Sequence, residues 1–265
     1  GYVKDGGRLV IDEAEALYGK GQGKEADKLK AVLDEAKAVY ADENAANHQI
    51  SIAESELKEA MEAYQWTNAS IDNPVDVTSL IENNSFERNF DGWTQTNMAA
   101  QSNTAFSLKS GNVYVEKWTE KGGKVGDASA MQQVKGLGLG IYILKAAAQN
   151  IQEGSTAAQR NAWIVANNTQ TEVTGKDEYA VTFVNIENVA TIGFLAEGAT
   201  GNWISADNFR LYYAGGDFAD FKKELQSYVD TAKTYVEKKM QETVLTNLNT
   251  CIAAAEAELQ KDNAD

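Results

Sequence analysis

The chain has one cysteine, one histidine and one proline in 265 residues, and no long apolar run. A single cysteine, Cys251, excludes an intrachain disulfide. A single histidine, His48, excludes histidine clusters as metal sites and argues against histidine-based catalysis. No stretch approaches the roughly 20 apolar residues of a membrane-spanning helix, so no membrane insertion of this segment is expected. Basic residues are scarce too: 24 Lys and Arg stand against 39 Asp and Glu, for a net charge of −15. Nothing forms a basic stripe that could neutralise phosphates, which argues against nucleic acid as a partner. The chain starts Gly1-Tyr2, without methionine or signal peptide. It reads as a mature or trimmed form with Gly1 a tag remnant, and its start assigns no compartment.

The length suffices for one large domain or two smaller ones with a real core. The acidity lies mostly on the ends, where it reads as solvated helix faces: residues 1–77 carry −8, 78–213 only −3 and 214–265 −4. The hydrophobic period follows the same division. Leu29, Val32, Leu33, Ala36, Val39 and Tyr40 recur at spacings of three and four. A second helix is predicted over about Ala46–Trp66, with Ile50, Ala53, Leu57, Ala60, Met61 and Tyr64 on one face. The shorter RLVIDEAEALYG precedes both and ends at Gly19, a plausible helix stop.

After Pro74 the pattern becomes short β-prone runs separated by Gly and Asn, from SLIENNSF through NVYVEKW, GIYILKAAAQ and NAWIVANN to NWISADNFRLYYA. About ten such strands over some 135 residues indicate an antiparallel β-sandwich or jelly roll. Within it, NNSFERNFDGW at 83–93 reads as an opening strand and turn, with Phe86, Phe90 and Trp93 as packing residues. Past Gly215-Gly216 the helical period returns and runs to about Leu259. There Cys251 shares a stripe with Val244, Leu248, Ile252 and Ala255 and reads as a buried small apolar residue. LKAVLDEAKAVY at Leu29–Tyr40 aligns without gaps on LQSYVDTAKTYV at Leu225–Val236. Each end therefore reads as a helical hairpin of one repeated type, and the two hairpins could merge into one bundle. The expected domains are an N-terminal helical segment (1–73), a sandwich (74–215) and a C-terminal hairpin (216–265).

Two stretches carry a family resemblance. LIENNSFERNFDGWT looks like the first strand, and GNWISADNFRLYY like the last strand, of carbohydrate-binding jelly rolls with a galactose-binding-domain-like fold. VEKW, QQVKGLGLGIYIL and WIVANN fall between them in the expected order. The whole resembles such modules in surface proteins of Bacteroides-type gut bacteria, where helical segments similar to FIVAR repeats flank the sandwich. One departure is Leu137-Gly138-Leu139-Gly140-Ile141-Tyr142, where the family turn carries a proline; its loss frees one φ without threatening the fold.

The resemblance implies a structural Ca²⁺ held by Glu87 of the opening motif and Asp207 of the closing one, with backbone carbonyls completing six to eight oxygens. The competing reading is that both carboxylates simply accept from backbone N–H groups at strand ends. The resemblance also implies a sugar platform, and the sandwich holds Trp93, Trp118, Trp163 and Trp203. Pyranose C–H faces pack on aromatic rings, while hydroxyls need polar partners. Alternation in NAWIVANN places Trp163 on a polar-edged face beside Arg160 and Asn167. Alternation in GIYILKAAAQ places Lys145 on a solvated face, and Trp118 ends a strand before the Gly-rich loop TEKGGKVGD. Tryptophan in a small sandwich is also a common packing residue.

No P-loop, no G-x-S-x-G and no Cys–His pairing selects a reaction, and no motif singles out the two carboxylates a glycosidase needs. The expectation is therefore a non-enzymatic module of an extracytoplasmic bacterial protein, an outer-membrane lipoprotein or a secreted one. It binds a glycan, and the helices act as spacer or docking element, with other surface proteins as further partners. Two other readings stay open: a structural or adhesive protein-binding module without a sugar site, and the accessory region of a larger glycoside hydrolase.

Overall fold

The computed structural model describes residues 2–19, 21–216 and 218–261. The chain divides into two compact units, Gly1–Val75 and Asp76–Asp265.

The first unit holds three helices, α1 (Tyr2–Tyr18), α2 (Ala26–Ala41) and α3 (Asn47–Thr67). A two-helix hairpin would leave one apolar side bare. Here α1 covers it: Val10 and Ala14 join Leu29, Leu33 and Ala36 of α2 and Leu57 and Tyr64 of α3 in one buried cluster. The expected N-terminal hairpin is thus a three-helix unit, closed by the short segment that precedes it. Gly19 does end α1, at φ +50°, with its N–H on Glu15 O at 3.0 Å.

The boundary between the units falls within β1 (Val75–Asp76), and a 3₁₀ turn follows at Thr78–Leu80. Then come β2 (Thr94–Thr96), β3 (Ala99–Gln101), β4 (Tyr114–Trp118), β5 (Gly126–Lys135) and β6 (Gly140–Ile151). The remaining strands are β7 (Ala162–Ala166), β8 (Thr169–Glu172), β9 (Lys176–Asn185), β10 (Val189–Ala199) and β11 (Trp203–Tyr213). One sheet is ordered β3-β4-β11-β6-β9 with β1 beside β11, and the other β2-β5-β10-β7-β8. Most successive strands change sheet, which is the antiparallel jelly roll expected from the sequence. The core follows the period-2 alternation: Ala128, Ala130 and Val134 of β5 and Ala190, Ile192, Phe194 and Ala196 of β10 are buried.

Residues 83–93 do not form a strand. They make consecutive turns, with Asn83, Phe86, Asn89 and Gly92 all at positive φ. Three-residue hydrogen bonds link them: Phe86 N–H to Asn83 O, Asn89 N–H to Phe86 O, and Trp93 N–H to Phe90 O. Asparagine and glycine tolerate the left-handed region, whereas Phe86 is held there by its burial. Its ring packs 4.7 Å from Trp93 and 6.0 Å from Phe209. Phe209 reaches that cluster because β11 carries a bulge between Asp207 and Arg210, where Asn208 adopts φ +52°. The bulge shifts the inward set from Ile204 and Ala206 to Phe209 and Leu211. Asn84 then takes both main-chain groups of Phe209, at 2.8 and 3.0 Å. Opening and closing motifs therefore do meet, through a turn instead of a strand.

Helices α4 (Phe218–Val236) and α5 (Glu242–Leu259) form the C-terminal hairpin. Tyr228 of α4 ties it to the sandwich by donating to Thr182 O at 2.9 Å. The hairpin buries Val229 and Ile252 but leaves Val244 and Cys251 exposed. The expected burial of Cys251 is thus corrected: two helices cover only the centre of the stripe. Native protein should label at Cys251 with a maleimide at a rate within several-fold of the unfolded chain. Protection of two orders of magnitude or more would contradict this placement.

Candidate functional site

Alternation along β4 sends Tyr114, Glu116 and Trp118 to one side. Antiparallel pairing sets Trp118 opposite Trp203 and Glu116 opposite Ser205 of β11. A cleft of about 490 Å³ results, lined by Gln101, Asn103, Glu116, Trp118, Glu153 and Trp203. Its volume suits a small ligand. Trp118 is 65 % exposed and Trp203 half-buried, so one ring stands free while the other floors the cleft. Trp203 Nε1–H donates to Glu116 Oε2 at 2.7 Å. The hydroxyl of Tyr114 lies 3.0 Å from the same oxygen and 2.8 Å from Asn103 Oδ1. Burial first, and then the hydrogen bond to Glu116 and its charge, push the Tyr114 hydroxyl far above the usual phenol range, so it remains a neutral donor.

The walls are fixed by Asn202, which is fully buried. Its Nδ2 donates to Thr119 O at 3.0 Å and to Glu153 Oε2 at 2.8 Å. Its Oδ1 accepts from Glu153 N–H at 2.8 Å. The loops after β4 and β6 are joined through one side chain, so the cleft is preorganised.

Of the residues expected for sugar contact, only Trp118 lies here. Trp163 sits on β7 in the other sheet, half-buried, while Ala162, Ile164 and Ala166 point into the core as alternation predicts. Arg160 is paired with Glu172 at 2.9 Å, whose carboxyl the Asn161 N–H first, and then that contact, hold below its usual range. Asn167 lies at the far end of β7 in a left-handed turn, its Oδ1 accepting from Thr191 N–H at 2.9 Å. Lys145 is in the middle of the Trp118 sheet, its Nζ 5.5 Å over the Tyr212 ring. Its face is not solvated as expected: Ile143, Ala147 and Gln149 are buried there, Ala147 in one cluster with Phe106 of the loop before β4 and with Tyr114. Sequence reading counted Trp203 among the sandwich tryptophans without giving it a place in the site, and missed Glu116 and Glu153. Cross-strand register brings Trp203 and Glu116 together, and a single strand's alternation does not reveal it.

A second cavity, about 620 Å³, is lined by Asn167, Asn185, Val189 and Tyr228 among others. Two of its amides are already committed: Asn167 Nδ2 donates to Asn185 Oδ1, and Asn185 Nδ2 to Gly138 O, each at 3.2 Å. No tryptophan lines it. The Trp118 cleft is the better candidate.

Glu87 and Asp207 converge on one loop. Glu87 Oε1 accepts from Asn112 N–H at 2.7 Å and Val113 N–H at 2.8 Å, and Asp207 Oδ2 accepts from Ser110 N–H at 2.6 Å. Gly111 permits this: at φ +71°, a Cβ there would lie 2.5 Å from Glu87 Oε1. The amide bonds, chiefly that of Val113, hold Glu87 below its usual range. Burial pushes Asp207 up to about 7, the Glu87 charge adding to the rise. Both carboxylates thus accept from backbone N–H groups, yet Asp207 Oδ1 is buried with no hydrogen-bond partner. An orphaned carboxylate oxygen beside a second carboxylate fits a hard cation. Among the described residues no cluster of three or more Asp, Glu, His or Cys side chains completes such a site.

No family model matches the chain, and no curated protein matches it either. Among solved structures it is similar to the carbohydrate-binding module TmCBM61 in complex with β-1,4-galactotriose, at 18% identity over 51% of this chain and 97% of that one, TM-score 0.40. A family 35 carbohydrate-binding module from Clostridium thermocellum is similar at 16% identity over 53% and 98%, TM-score 0.34. So is a cyclase from Fischerella sp. TAU, at 14% identity over 54% and 99%, TM-score 0.40.

Proposed function

We propose that the chain is a non-catalytic glycan-binding module of a bacterial cell-surface or secreted protein, with the Trp118 cleft as its site. The observation that carries this reading is the pairing of an exposed tryptophan with one buried acceptor, Glu116, and with further polar side chains around the same cleft. Trp118 offers a flat face for pyranose C–H groups, and Glu116, Glu153, Asn103 and Gln101 offer partners for hydroxyls. Glu116 Oε2 and Glu153 Oε2 each accept from a fixed protein donor, Trp203 Nε1–H and Asn202 Nδ2, which holds both acids in place as acceptors toward a ligand.

The same reading makes Glu87 and Asp207 the carboxylates that would hold a structural calcium, Asp207 Oδ1 being the oxygen without a protein donor. Bound calcium would supply the positive charge that the buried carboxylate lacks and tie the closing strand to the loop at 110–113. The Bacteroides-type setting, the FIVAR-like nature of the helices and their role as spacer or dock to other surface proteins belong to this proposal as well.

Calorimetry against a broad panel of soluble polysaccharides tests the module. Trp118→Ala should weaken the ligand found by on the order of 30-fold, about 2 kcal/mol, while the melting temperature stays within about 2 °C. No heat with any glycan, or full affinity in Trp118→Ala, would sink the reading.

A further inference from the structure

The ionisable side chains lining the cleft, Glu116 and Glu153, are both acids. Glu116 is only 4 % exposed. Its Oε2 is held by Trp203 and Tyr114, while Oε1 has no donor among the described residues and opens on the cleft. Glu153, on the opposite wall, is also an acceptor held in place by Asn202. No lysine, arginine or histidine lines the cleft. Lys117, next to Glu116 on β4, alternates to the other side, where its Nζ donates to Asp127 O at 2.9 Å. Lys121 lies over Gly154 on the turn after Glu153, outside the lining.

We infer that the Trp118 cleft takes neutral sugar residues and rejects uronic acids and other anionic glycans, with Glu116 as the residue that sets this choice. The inference rests on the glycan-binding reading above. A neutral pyranose stacked on Trp118 can donate a hydroxyl to Glu116 Oε1, a charge-assisted hydrogen bond to an acceptor that already has its place. A uronate in the same pose brings a second negative charge beside a carboxylate nearly removed from water, with Glu153 also in the lining and no cation among the lining residues. Repulsion of this kind, rather than missing contacts, is what discriminates the two.

The test is calorimetry with matched pairs of neutral oligosaccharides and their uronic-acid counterparts, in chelator and at constant ionic strength. Wild-type protein should bind the neutral member of its preferred pair at least about 10-fold more tightly than the acidic one. Glu116→Gln keeps an oxygen for Trp203 and Tyr114 and turns an N–H donor toward the cleft, so it should narrow that ratio to about 3-fold or less. Glu153→Gln, at an exposed position where folding is not at stake, should narrow it by a smaller factor. Equal or tighter binding of the uronate by wild type overturns the inference. So does an unchanged ratio in both variants when their melting curves match wild type. Binding of neither member of any pair overturns the glycan reading itself, and this one with it.

Discussion

Phe86→Ala should lower the stability of the sandwich unit by about 4 kcal/mol, the range for emptying a fully buried phenylalanine site. Phe86 is fully buried, and its ring is the hub of an aromatic cluster, 6.0 Å from Phe90, 4.7 Å from Trp93 and 6.0 Å from Phe209. Trp93 cannot close in to fill the gap, because its indole N–H is tied to Glu82 O and Asn83 O, each at 3.1 Å. A second variant separates packing from backbone. Phe86 sits at φ +54°, where an L-residue is disfavoured by about 1 kcal/mol relative to glycine. Phe86→Gly should therefore be no worse than Phe86→Ala, although glycine normally loses about 0.5–1 kcal/mol to alanine in regular structure. Urea unfolding read by tryptophan emission in a Trp66→Phe background measures both, since Trp66 is the one tryptophan of the first unit. A cost below about 1.5 kcal/mol for the alanine variant would show that the ring is not the hub described.

That cluster also shows what a one-dimensional reading can and cannot see. The switch from helical to β period after Pro74, and most strands of the sandwich, followed from hydrophobic spacing, because side-chain direction is set locally. NNSFERNFDGW reads as a strand and turn through its resemblance to the family's opening strand, although Phe86, Phe90 and Trp93 sit four and three residues apart, a spacing that a strand would not bring to one face. Only the left-handed conformations at Asn83, Phe86 and Asn89 let three turns bring them to one point. The asparagines were the available signal. The closing of the N-terminal hairpin by α1 was hidden for a related reason: RLVIDEAEALYG reads as a minor segment until Val10 and Ala14 are seen completing the cluster of α2 and α3. The exposed Trp118 was legible from its place at a strand end. Trp203 and Glu116 were not, since they become neighbours through the β4–β11 register, a pairing between residues 87 positions apart.

In the metal-free protein, stability should fall as pH rises from 5 to 8, by on the order of 3 kcal/mol, and Asp207→Asn should abolish the fall. The sign follows from the buried carboxyl. Its folded pKa of about 7 lies above the ordinary 3.8, so the native state holds its proton longer than the unfolded chain does. The contribution is full below about pH 4 and is lost as pH passes through 7. Glu87 and Glu172 act in the other direction: both are depressed, so their stabilisation is present above the ordinary 4.5 and is lost only on acidification below it. The window from 5 to 8 therefore reports on Asp207. Calcium, on the reading proposed for this pair, should reverse the trend. At pH 8 an ion at 100 times its dissociation constant raises stability by about 2.7 kcal/mol, and the gain should shrink toward pH 5 as protons compete for the same oxygens. Asp207→Asn should be the more stable protein in chelator at pH 8 and should gain nothing from calcium. Differential scanning calorimetry at three pH values, with chelator or calcium and with magnesium as control, reads all of these. A calcium gain that survives in Asp207→Asn would place the ion elsewhere. A pH-dependent fall with no calcium gain in wild type would leave Asp207 as a proton-holding anchor of the loop at 110–113, bonded to Ser110 and to no metal.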